Sequence, residues 1–162
     1  MDAADMLWFA GVVSTGVATG AMMGHALLLG RFFQWTFQSN KAEAFRLTYP
    51  AFVQAKRPQL YFDHLFTVAL LLVTVYNVVL FVAARGCTLS LIAAGSQWLF
   101  VAIFFGSGFG ALEADLLAQG DASPQRVRRF LLLNPRIVTL SAILLLLSFS
   151  CLVLMSVPPG AR

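Results

Sequence analysis

Four long apolar runs, with nearly all the cationic side chains gathered in the connections on one side of them, restrict this 162-residue chain more than any other feature. The runs are Leu7 to Gly30, Leu65 to Ala84, Leu89 to Leu112 and Ile137 to Val157. Each is close to the ~20 residues with which a helix crosses ~30 Å of hydrocarbon. Lipid offers backbone amides no water, so every run must satisfy its own as a helix or join a closed barrel. Unbroken hydrophobicity lacks the alternation of a barrel strand.

The predicted fold class is therefore an all-α integral membrane protein: one domain over 1–162, with four transmembrane helices in an antiparallel up-down bundle. The helices are expected at about 7–31, 63–84, 89–118 and 136–157. With 59% of residues apolar and 11% charged, nothing is left over for a second, soluble domain. The first run is too long for a secretory signal and is preceded by Asp2 and Asp5 in place of basic residues, so it is read as a retained helix.

The eleven Lys and Arg residues divide unevenly. Arg31, Lys41, Arg46, Lys56, Arg57, Arg126, Arg128, Arg129 and Arg136 lie on the side of the first and third connections. Only Arg85 and Arg162 lie on the other. By the positive-inside rule the first side is cytoplasmic and both termini are outside, an arrangement suited to a bacterial inner membrane. The formal charge of +4 then points to anionic lipid headgroups and not to nucleic acid.

The first connection carries Phe45, Tyr49, Phe52 and Val53 at helical spacing, among Lys41, Arg46, Lys56 and Arg57. An amphipathic segment over 35–60, lying in the membrane interface, is expected there, ended by Pro58; a loop that hugs the membrane is the alternative. In the third connection Gly120 stops the third helix. Ser123 and Pro124 then start a short basic helix over 124–133, and Asn134-Pro135 redirects the chain into the fourth span.

Gly16, Gly20 and Gly24 form a doubled GxxxG in the first span, and Gly106 and Gly110 repeat the spacing in the third. Bilayer helices associate through close approach at small residues, so these faces are expected to pack span one on span three; homodimerisation is the alternative.

Polar groups within spans are costly and point to function. If consecutive spans alternate in direction, His25, Asp63, His64, Glu113, Asp115, Asn134 and Arg136 share one layer near the cytoplasmic face. Asp63, Thr67, Thr74 and Asn77 continue it as a helical stripe, with Gln97 placed to meet Asn77. Imidazole with carboxylate suits a metal held by His25, His64 and Glu113. The two histidines alternatively suit axial ligation of a haem. A third option is a cavity in which His25, His64, Glu113 and Asp63 bind a polar head such as that of a quinone. The same residues can also be purely structural, with His25 bonded to a neighbouring helix and Asp63 or Glu113 paired with Arg31 or Arg136.

Cys87 and Cys151 both lie toward the outer side, where a disulfide is conceivable, but no CxxC pair supports thiol redox chemistry. Trp8, Trp35, Trp98, Tyr49 and Tyr61 read as headgroup-level anchors. Nucleophile elbows, phosphate loops and dinucleotide fingerprints are absent, and no inverted repeat suggests a transporter.

Four spans, a glycine-bearing first helix, a long first connection and the segment Asn134-Pro135-Arg136-Ile137-Val138-Thr139-Leu140 together resemble the anthrone-oxygenase-like group of small membrane proteins. In place of that group's Asn-Pro signature at the end of the third helix, this chain has Gly110-Ala111-Leu112-Glu113. The resemblance implies the four-helix architecture and an oxygenase-like redox role. Two functions stay open: a membrane redox or ligand-binding protein, or an accessory subunit that meets other membrane proteins and performs no chemistry.

Overall fold

A computed structural model describes residues 3–39, 41–117 and 123–156, and all of the regular structure among them is helical. Expectations that fall on Asp2, Gly120, Val157 and Arg162 lie outside the described residues. The helices are α1 (Ala3–Gly24), α2 (Gly30–Gln38), α3 (Ala42–Lys56), α4 (Pro58–Val82), α5 (Thr88–Gly106), α6 (Phe109–Leu117) and α7 (Pro124–Leu154). Four stretches are long and apolar enough to cross a membrane: Ala3–Gln38, Leu60–Val82, Thr88–Gly106 and Pro124–Leu154. The fold is thus a membrane-type helical bundle.

α1 and α2 form one long rod, joined by a widened π-helical turn over His25–Leu29 in which the Gly30 amide reaches back to the His25 carbonyl. Such a turn inserts a residue into the helix and shifts the faces on either side, and it recurs at functional sites. His25 is its first residue.

α3 carries the expected amphipathic pattern in part, with Phe52 of the expected apolar face exposed. Phe45 and Val53 are buried and Tyr49 is half-buried, while Leu47, Thr48 and Lys56 are exposed. Arg57 ends it in the left-handed region, at φ 46° and ψ 49°. Pro58 then occupies the start of α4, where its missing N–H costs nothing.

Several boundaries differ from those expected: the first rod continues to Gln38 and α4 already begins at Pro58. The third helix breaks at Ser107–Gly108, where Gly108 adopts φ +68°, a conformation open to glycine at little cost. The Ser107 hydroxyl accepts the Phe109 amide at 3.2 Å, capping α6, and Arg129 donates to the Ser107 carbonyl at 3.4 Å. Conversely, Pro135 does not redirect the chain. The basic segment over 124–133 and the fourth span are a single helix, α7, that runs through the proline. A proline inside a membrane helix is tolerated because neighbouring groups compensate for the missing bond.

The expected glycine interface does not form. A Cβ on Gly20, Gly24 or Gly106 would meet nothing within 4 Å, one on Gly16 would come within 3.0 Å of the Phe149 ring of α7, and one on Gly110 within 2.9 Å of the Phe104 ring of the preceding helix. α1 packs chiefly on α4 and α7, and α5 on α7. Polar side chains tie these helices at intervals. Trp8 donates to the Leu152 carbonyl at 2.9 Å, Gln97 donates to Thr15 and Ser148 at 3.0 Å each, and Asn134 donates to the Gly30 carbonyl at 3.0 Å.

At one end, the buried Phe33, Phe37, Phe45, Phe109 and Phe130 form an aromatic core. Phe45 stacks on Tyr49 at 4.6 Å between centroids, and Phe109 on Phe130 at 5.9 Å. Ring pairs of this kind add to the stabilisation from burial itself.

Candidate binding cavity

The break after α5 and the π turn after α1 place one carboxylate against one imidazole. Glu113 lies on the first turns of α6, and its Oε1 is 3.2 Å from Nε2 of His25, with the side chains 17% and 19% exposed. Both atoms are sealed from solvent, and apart from this contact neither has a hydrogen-bond partner among the described residues. The edge of the Phe33 ring lies beside the imidazole, with centroids 6.3 Å apart.

This pair forms the polar wall of an open-mouthed cavity of about 680 Å³, lined by residues of α1 through α7. That size is within the range of small-molecule sites. Most of the remaining wall is aromatic or aliphatic: Phe62 and Phe66 from α4, Phe100 and Phe104 from α5, Phe33 and Met22 from the first rod. Tyr49, Asp63 and Thr67 add polar groups at its edge. Burial, and then the nearby Glu113 charge, push the Tyr49 phenol above its ordinary pKa of 10.0. At neutral pH it therefore remains an O–H donor.

Only part of the expected polar layer converges here. His25 and Glu113 meet and Asp63 borders the same space, but His64 is exposed and does not line it. The His64 Nδ1–H donates to the Leu60 carbonyl of its own helix. Among the described residues no three His, Cys, Asp or Glu side chains gather closely enough to hold a metal ion. The donor set His25, His64 and Glu113 thus fits neither a three-ligand metal centre nor a bis-histidine haem. His25 and Glu113 meet, but His64 lies away from them, and a metal or haem needs its ligands convergent.

The other expected partners resolve into structural bonds. Asp115 pairs with Arg126 at 2.6 Å. Asn77 donates to the Ser90 carbonyl at 2.7 Å and does not meet Gln97, while Trp98 donates to Thr74 at 3.2 Å. Asp63 and Thr67 are exposed, so the stripe on α4 is no continuous interior track. Cys87 and Cys151 are both free thiols.

Sequence reasoning missed the aromatic lining and the position of Tyr49, which reads from sequence as an interfacial anchor. The available signal was the one-turn spacing of Phe62 with Phe66 and of Phe100 with Phe104, read together with an acidic residue one turn beyond a glycine break.

No family model matches the chain, and the searches of curated proteins and of solved structures likewise found no match.

Proposed function

We propose that this chain is an up-down four-helix membrane protein that binds a flat, lipophilic molecule with a polar oxygen-bearing head, of the quinone or aromatic-ketone class. Its basic connections face the cytoplasm, both termini face outward, and α3 lies in the interface. The single observation that carries the binding reading is the aromatic cavity with one polar wall, where His25 Nε2 and Glu113 Oε1 are buried without hydrogen bonds. A carbonyl or hydroxyl placed there accepts from or donates to groups that are otherwise unsatisfied, and the stacked rings receive the apolar body. An imidazole beside a carboxylate can also hold and pass a proton to a bound oxygen.

Pairing along the helices supports the up-down arrangement. Trp8 meets Leu152, Thr15 meets Ser148 through Gln97, and Gly30 meets Asn134, so numbers rise on one helix as they fall on the other. The resemblance to anthrone-oxygenase-like proteins points to the same ligand shape and makes oxidation of the aromatic ketone by dioxygen, to the quinone and water, the reaction to assay.

The test is to purify the protein in mild detergent, extract it with organic solvent and identify co-purifying lipophiles by mass spectrometry and optical spectrum. A stoichiometric aromatic ketone or quinone, lost on His25→Ala, supports the proposal. Gly20 and Gly24, with nothing within 4 Å of a Cβ, favour a second reading as a subunit whose glycine face meets another membrane protein. Ligand-free protein that co-purifies with fixed partner chains would select that reading.

A further inference from the structure

A second, shallower space of about 330 Å³ lies between the first rod and α7, separate from the His25–Glu113 cavity in its polar lining. Met23, Leu27, Ile143 and Leu146 make one stretch of it apolar, and Arg31, Gln34 and Asn134 gather at the other end. We propose that this groove binds one anionic phospholipid, with an acyl chain along the apolar stretch and the phosphate beside Arg31.

Three observations converge on that occupant. Arg31 is exposed and makes no ion pair or hydrogen bond among the described residues, so its guanidinium is available to a phosphate in a fork geometry. Asn134 is 1% exposed. Its Nδ2 is spent on the Gly30 carbonyl, while Oδ1 is buried with no donor. It lines the groove as an acceptor awaiting an O–H or N–H, which a glycerol headgroup supplies. Gly30 keeps that amide in place, because a Cβ there would come within 3.2 Å of Nδ2 and 3.4 Å of Oδ1. Basic pockets between membrane helices at the cytoplasmic level are recurrent sites for anionic headgroups. Phosphatidylcholine also brings a phosphate to Arg31, but its choline cation offsets that charge and its headgroup has no hydroxyl for Asn134.

Native mass spectrometry of the detergent-purified protein, titrated with dioleoyl phosphatidylglycerol or dioleoyl phosphatidylcholine, tests the assignment. The wild type should bind phosphatidylglycerol about five-fold more tightly, the effect of one cation near a headgroup. Arg31→Gln should abolish that preference, and Arg128→Gln, exposed on α7 outside the groove, should keep it. Leu27→Trp, which fills the apolar stretch from an exposed position, should weaken both lipids without lowering the melting temperature. Equal binding of the two lipids, equal losses in Arg31→Gln and Arg128→Gln, or displacement of lipid by a second copy of the chain as protein concentration rises would each overturn the proposal.

Discussion

His25 and Glu113 come from opposite ends of the sequence's polar inventory and meet only because two local irregularities turn them together. Neither group has another hydrogen-bonding partner among the described residues, and the atoms that meet are sealed from solvent. Tyr49, close enough to feel the Glu113 charge, gives a test of this crowding. Its folded-state pKa is raised, so its contribution to stability is complete below the ordinary value of 10.0 and is lost as pH rises past it. The melting temperature of the detergent-solubilised protein should fall between neutral pH and about pH 11, and Tyr49→Phe should flatten part of that fall. An unchanged slope would mean that Tyr49 is not held among these groups.

At the scale of helices, glycine does two unlike jobs in this chain. A Cβ on Gly30 would come within 3.1 Å of the His25 carbonyl and within 3.2 Å of the Asn134 amide, whereas one on Gly20 would meet nothing within 4 Å. Gly30→Ala should therefore destabilise the protein by about 1–3 kcal/mol through overpacking. Gly20→Ala should be neutral or stabilising by up to about 1 kcal/mol through helix propensity. Thermal melts of the two variants in one detergent distinguish these outcomes. Equal losses would restore the glycine stripe as an internal packing face.

The same contrast shows what was legible beforehand. The four spans follow from run length alone, because hydrocarbon thickness fixes how many apolar residues a crossing takes. The break at Ser107–Gly108 was not legible, since Gly106 to Gly110 has the spacing of a packing motif and only tertiary context decides between packing and a left-handed turn. Pro135 was misread for a related reason: a proline ends helices in water, but α7 carries it through. His64 was misplaced because on α4 it is turned by about 100° from its neighbour Asp63, which borders the cavity, so the two cannot face the same space. His25 and Glu113 were found because buried charge in an apolar span is scarce. The rings of Phe62, Phe66 and Phe104 were not, because the one-turn spacing that Phe62 shares with Phe66, and Phe100 with Phe104, is equally that of ordinary core or lipid-facing filling among fifteen phenylalanines.

For the molecule as a whole, the bundle brings an aromatic core and cavity to the end bearing the basic connections and leaves the other end with short turns. Single cysteines at Arg128 and Arg85, in a background with Cys87 and Cys151 replaced by Ser and Ala, test the proposed orientation. A membrane-impermeant maleimide applied to intact cells should label position 85 and spare 128 until the membrane is opened. The reverse pattern would invert the topology. The most direct measurement of the central claim is calorimetric titration of the detergent-purified protein with a short-chain quinone. One saturable site, weakened about ten-fold or more in both His25→Ala and Glu113→Gln, is expected from the loss of hydrogen bonds to this pair. Absence of saturable binding, or affinity unchanged by both substitutions, would contradict it.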